Sequence, residues 1–150
     1  MSNETNKGIE IVTRYNGLLT TTIPDGELHQ AIASARSEMP HIEKNSVAKI
    51  GNKYSFKYAD LAAIFAATTP TLSRFGLSVT QPILSDGSTK ILVTRISHGA
   101  TGQFIETVRT LPAGNTSARE SAGDETFWRR YSLNSLIGIH PAGDVDCLYQ

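Results

Sequence analysis

Two arginines, Arg129 and Arg130, stand side by side in a run rich in apolar and aromatic residues: Phe127, Trp128, Tyr131, Leu133, Leu136 and Ile137. A guanidinium taken out of water needs a carboxylate, a set of carbonyls or a phosphate, because an unpaired buried charge is strongly destabilising. Two kinds of partner fit these residues. One is ion pairing to Asp124, Glu125 or Glu106; the other is a bidentate grip on backbone phosphates by guanidinium forks lining a groove. A second cationic group lies in residues 44–58, KNSVAKIGNKYSFKY. It carries Lys44, Lys49, Lys53 and Lys57 with no acid, interleaved with Tyr54, Phe56 and Tyr58. Lysines among rings are the composition of a single-strand binding surface, where cations track phosphates and rings stack on bases. They also fit a solvated hairpin whose rings pack inward while its lysines face water.

Total charge says little about either group. The 150 residues hold 14 Lys plus Arg and 14 Asp plus Glu, for a formal net charge of zero. Divided along the chain, residues 1–43 carry −3, residues 44–105 carry +5 and residues 106–150 carry −2. The positive block contains the lysine–aromatic segment together with Arg74, Lys90 and Arg95. Electrostatic fields act within a Debye length of about 8–10 Å, so an overall neutral chain can hold a basic groove.

Enzymatic chemistry finds little support. His29, His41, His98 and His140 are scattered, without metal-ligand spacing, and neither GxxxxGK[ST] nor GxGxxG occurs, so no cofactor is expected. Cys147 is the single cysteine, which excludes an internal disulfide and fits a reducing, cytoplasmic compartment. No apolar run approaches the roughly 18 residues of a membrane span, and MSNETNKG is not a signal peptide. Two rival classes stay open. One is a metal-dependent nuclease using Asp124, Glu125, Asp144 and Asp146, since two-metal chemistry needs clustered carboxylates. The other is an oligomeric assembly protein that does not meet DNA.

The elements that must position these residues follow from periodicity. Residues 1–23 read as a mobile N-terminal arm with a short edge strand at 9–12. A helix begins at Pro24-Asp25-Gly26, with Asp25 as its N-cap and a stripe of Leu28, Ile32, Ala35 and Met39, and stops at Pro40. Residues 47–50 and 54–58 flank Gly51-Asn52 as a hairpin. Leu61, Ile64, Phe65, Thr68, Leu72 and Phe75 form one helical face, capped by Asp60; Pro70 must kink or split that helix, and Gly76 ends it. Three strands, 77–84, 90–98 and 103–111, form an antiparallel meander, with Pro82 marking an edge or a bulge. Ser117-x-x-Glu120 and Ser121-x-x-Asp124 are alternative capping boxes for a last helix expected from about Asp124 to Leu136 or Ile137. Its apolar residues spread right round the axis, so it is expected to be buried on all sides, between its own sheet and something else such as a neighbouring subunit. The fold class is α+β: a single core domain at 24–140, with a short tail at 141–150.

Thr126-Phe127-Trp128-Arg129-Arg130-Tyr131-Ser132-Leu133, followed by Leu136-Ile137-Gly138-Ile139, resembles the T-[YF]-x-R-R-Y-x-L…LxGI signature of the Erf family of phage and prophage single-strand annealing recombinases. A second block, Phe56-Lys57-Tyr58-Ala59-Asp60-Leu61, resembles that family's YKYADL. Pro70, Leu72, Gly76-Leu77 and Gln81 follow at the expected spacing, and His98-Gly99 with Gly102 resembles a family loop. The similarity covers roughly residues 26–146. Departures are Ala122-Gly123 where the family carries Gly-Ser, Phe127 for a Tyr, and a thin acidic tail of Asp144 and Asp146. The resemblance implies a β-β-β-α core assembled into rings or arcs, with single-stranded DNA in a basic groove, bases left available for pairing, and no ATP consumed. It also implies a bacterial host cell and a partner phage exonuclease or host single-strand binding protein. On that basis Arg129 and Arg130 are the expected phosphate clamps, backed by Lys53 and Lys57. Tyr58 either stacks on bases or packs inward, and Lys49, Lys90 and Arg95 would supply a rim or second strand site.

Overall fold

The computed structural model describes residues 8–112 and 117–140. Eleven elements run in the order β1 (Glu10–Arg14), β2 (Leu19–Ile23), α1 (Gly26–Ser37), β3 (Ser46–Ile50), β4 (Tyr54–Tyr58), α2 (Leu61–Arg74), β5 (Leu77–Thr80), β6 (Ile83–Ser85), β7 (Lys90–His98), β8 (Phe104–Leu111) and α3 (Ala118–Ile137). The main sheet is antiparallel in the order β1-β2-β8-β7-β5, with β6 also on β7, and β3–β4 forms a separate hairpin. This is the expected α+β architecture. The meander is present, and its first strand breaks at Gln81-Pro82 into β5 and β6, which share one edge of β7. Proline has no ladder N–H to give, so an edge is where the break is tolerated.

Residues 10–23 are not a mobile arm. They form a hairpin with five residue pairs, from Glu10–Ile23 to Arg14–Leu19, and β2 continues the sheet by pairing with β8. The turn is made by Tyr15, Asn16 and Gly17, all at positive φ. Asn-Gly between alternating apolar segments is a strong hairpin signal. Residues 1–7 and the tail 141–150 lie outside the described residues.

One core cluster joins all three helices to the sheet. Leu28 and Ala35 of α1, Ile64 and Leu72 of α2, and Leu133 and Ile137 of α3 surround Leu77 and Ile96. Each of the largest contributes about 1.5–3 kcal/mol of burial. The first turn of α1 is completed from far away. Asp25 occupies the N-cap position without a side-chain cap bond and contacts His29 instead; the Leu28 amide donates to Oε1 of Gln103 at 2.9 Å. At the other end of the bundle Arg36 donates to the Gly138 carbonyl at the C-terminus of α3, where a cation is favoured by the helix dipole.

Pro70 does not split α2, which runs as one helix to Arg74. Pro70 and Ala66, whose carbonyl loses its partner, are exposed, so water can satisfy the freed group. Helix α3 starts about six residues earlier than expected. Ser117 closes the capping box with Glu120, leaving Ser121 inside the helix. Nor is α3 buried on all sides: Leu133 and Ile137 are core, whereas Phe127 and Tyr131 remain 42% and 48% exposed. The sheet covers one side of the helix, and the opposite aromatic side faces outward.

Candidate nucleic-acid interface

The β3–β4 hairpin sorts its side chains by parity. The register pairs Ser46 with Tyr58, Ala48 with Phe56 and Ile50 with Tyr54, while Val47 opposes Lys57 and Lys49 opposes Ser55. Successive residues point to opposite faces, so Phe56 and Tyr58 lie on one face and Lys49 and Lys57 on the other. Lys53 sits in the exposed turn. The aromatic face looks toward α3. Between them is a cleft of about 510 Å³, lined by Ala48, Phe56, Tyr58, Gly123, Phe127 and Arg130 among others.

Arg130 is the cation of that cleft. Its guanidinium lies 4.5 Å from the centroid of Tyr58, 5.6 Å from Phe127 and 5.4 Å from Tyr131. Phe127 stacks in turn on Tyr131 at 4.6 Å and meets Trp128 edge-on at 4.9 Å. No carboxylate among the described residues is at salt-bridge distance from Arg130. Asp60 is close enough for attraction, but its oxygens are committed elsewhere. They accept from the Ala63 amide at 2.8 Å, and from Ser46 and Asn45 at 3.0 Å each. Those bonds hold the Asp60 carboxyl below the usual carboxylate range. The Ala63 amide contributes most, Ser46 and Asn45 add to it, the Arg130 charge adds a little, and burial opposes them. Asp60 therefore caps α2, as expected, and also pins the hairpin's base to that helix.

Arg129 lies on an adjacent side of α3, where its backbone is tied to the sheet. Its carbonyl accepts from Gln81, which also donates to Thr94 of β7. Its Nε is buried and has no hydrogen-bond partner among the described residues, and the same holds for Oε1 of Gln81. Neither arginine pairs with Glu125 or Glu106. Those carboxylates hold the two cations of β7 instead: Lys90 meets Glu125 at 2.8 Å, and Arg95 meets Glu106 at 3.1 Å while stacking over Phe104. Arg95 lies on the sheet face opposite the helices, since its neighbours Thr94 and Ile96 face them. The structure thus brings Arg130, Tyr58 and the hairpin together. It places Arg129 on an adjacent side of α3, Lys49 and Lys57 on the hairpin's outer face, and Lys90 and Arg95 outside the cleft.

One cation was not singled out from sequence. Arg109 of β8 lies 3.2 Å from the centroid of Trp128. Its position follows from the sheet register, where it opposes Leu92 on the helix side, and no local motif marks it. For metal chemistry, no three His, Cys, Asp or Glu residues cluster among the described residues, and Asp144 and Asp146 lie outside them. No described helix is long and apolar enough to cross a membrane.

Comparison with known proteins agrees with the two sequence blocks that frame the cleft. The family model described as the ERF superfamily matches residues 28–149, from the first buried leucine of α1 through α3 and beyond. No curated protein and no solved structure was found to match. With both motif blocks inside the matched region, this chain belongs to the ERF superfamily and, at that coarse level, is a phage-type recombination protein of the annealing kind.

Proposed function

We propose that the chain binds single-stranded DNA in the cleft between the β3–β4 hairpin and α3, and anneals complementary strands without nucleotide hydrolysis or catalysis. The observation that carries this reading is Arg130: a cation set among Tyr58, Phe127 and Tyr131, with no carboxylate at ion-pair distance among the described residues. Rings give sequence-tolerant stacking and a guanidinium grips phosphate, so the cluster meets both needs of an annealer. Arg129, with its buried Nε unpartnered, is the second clamp. Lys53 and Lys57, with Lys49, line the approach from the hairpin's turn and outer face. Lys90 and Arg95 are occupied by carboxylates and form, at most, the outer rim.

Several copies acting as a ring or arc in the bacterial cytoplasm would present these clefts in series, with a phage exonuclease or a host single-strand binding protein supplying the strand. Support for assembly comes from the sheet edges at β1 and at β5–β6, which pair with no further strand among the described residues, and from the outward aromatic side of α3. An assembly that ignores DNA would use the same aromatic side only as a subunit contact.

Oligonucleotide binding as a function of salt, an annealing assay without ATP, and a mass measurement with and without DNA test the proposal together. Expected are a log–log salt slope of about −0.7 per neutralised phosphate, annealing, and a multimeric mass. Assembly with no oligonucleotide binding at low salt would leave the pure assembly protein. Mg²⁺-dependent degradation of DNA, lost in Asp144→Asn, would establish the nuclease instead.

A further inference from the structure

We propose that Arg109 and Trp128 form a second contact point for the same strand, with Arg109 on a phosphate and Trp128 on a base, on the side of α3 away from the hairpin. The proposal rests on single-strand binding at the hairpin–α3 cleft and extends the strand's path beyond it. Three observations support it. Arg109 is exposed and has no ion pair among the described residues, unlike Lys90 and Arg95 on the neighbouring strand. It is parked over the indole of Trp128, where a guanidinium plane occupies the site a base would take. Finally, the rings between the two cations are continuous. Trp128 touches Phe127, Phe127 touches Tyr131, and both of the latter border Arg130, which stacks on Tyr58. Helix α3 therefore carries a contiguous cluster of rings, Phe127 and Tyr131 exposed and Trp128 half-buried, with Arg109 on one side and Arg130 on the other. That arrangement suits successive stacked bases whose phosphates are neutralised at both ends. On binding, a base displaces Arg109 from the indole and the freed guanidinium turns to the adjacent phosphate.

Trp128 is the only tryptophan in the chain, so its emission reports this end of the path directly. The full chain is titrated with oligo-thymidine while label anisotropy on the DNA and Trp128 emission are followed together. Quenching that tracks the anisotropy is expected. Arg109→Gln is expected to lower the magnitude of the salt slope by about 0.7 and to weaken binding about fivefold at 0.1 M salt, while Arg109→Lys keeps the slope. A purely structural Arg109–Trp128 stack would shift the thermal transition in both variants and leave the slope unchanged. Normal anisotropy with unaltered Trp128 emission and a neutral Arg109→Gln would overturn this contact point and leave the cleft standing. Absence of any anisotropy change at low salt would overturn both.

Discussion

Strand β7 of the sheet and the α3–hairpin pair each carry conspicuous cations, and they treat them in opposite ways. On the sheet, Lys90 and Arg95 are each matched to a carboxylate, Glu125 and Glu106, at 2.8 and 3.1 Å. On α3 and the hairpin, Arg130 is matched to rings, Arg129 has a buried nitrogen without a partner, and Lys49, Lys53 and Lys57 point into solvent. A paired cation has already spent its field on its neighbour. One held by rings keeps its charge available, because a π-face attracts a cation without neutralising it. Formal charge counts these residues alike, but only the second group can attract a phosphate without first breaking an ion pair.

Breaking the second group should therefore matter most. Arg129→Ala with Arg130→Ala removes two phosphate contacts, and at about 0.7 per contact this weakens binding about 25-fold at 0.1 M salt. A salt titration of oligonucleotide affinity, beside a thermal melt to confirm folding, measures it. Lys53→Ala and Lys57→Ala, one at a time, should each cost about fivefold in the same assay.

Asp60→Ala sharpens the contrast from the structural side. Losing the α2 cap should reduce stability by about 1 kcal/mol, read by denaturant unfolding. Because the folded Asp60 carboxyl lies below the ordinary range, its stabilisation is fully present above the unfolded pKa of about 3.9 and fades as pH falls through the lower folded value. Acid unfolding of the Asp60→Asn variant should lose this pH-dependent contribution. The smallest effect belongs to the paired cations. Lys90→Ala and Arg95→Ala should leave the oligonucleotide salt slope unchanged and alter stability by about 0.2–1 kcal/mol. A slope that falls with either variant would erase the distinction between the two groups.

Local chemistry was legible wherever a residue acts on its near neighbours. Asp60 as a cap, Gly76 at the end of α2, the Gly51-Asn52 turn and the Pro82 break all depend on contacts within a few positions. The early start of α3 was also written in Ser117 and Glu120, but an equally good second box at Ser121 competed with it. The N-terminal hairpin carried its own signal in Asn16-Gly17; the weakness of the flanking alternation hid it. At the site, the lysine–aromatic segment and the arginine pair were both visible. Their sorting was not, because it depends on which face of β4 meets which side of α3. Arg109 was invisible for the same reason: its partner Trp128 is brought to it by the packing of a helix on a sheet, and sequence spacing does not encode that.

The Gln103 side chain, almost fully buried, bonds the Leu28 amide across 75 positions, and Arg36 reaches Gly138 across 102. A twelve-residue helix such as α1 is marginal by itself in water. During synthesis the segment through α1 thus emerges with the first turn of its helix lacking the Gln103 partner and its β2 edge unpaired, long before β8 or α3 exist. Closing such distant contacts last makes folding slow and cooperative. A chain truncated before α3 should therefore lack both the Leu133 and Ile137 side of the core and the α3 wall of the cleft, and should not reach the native fold.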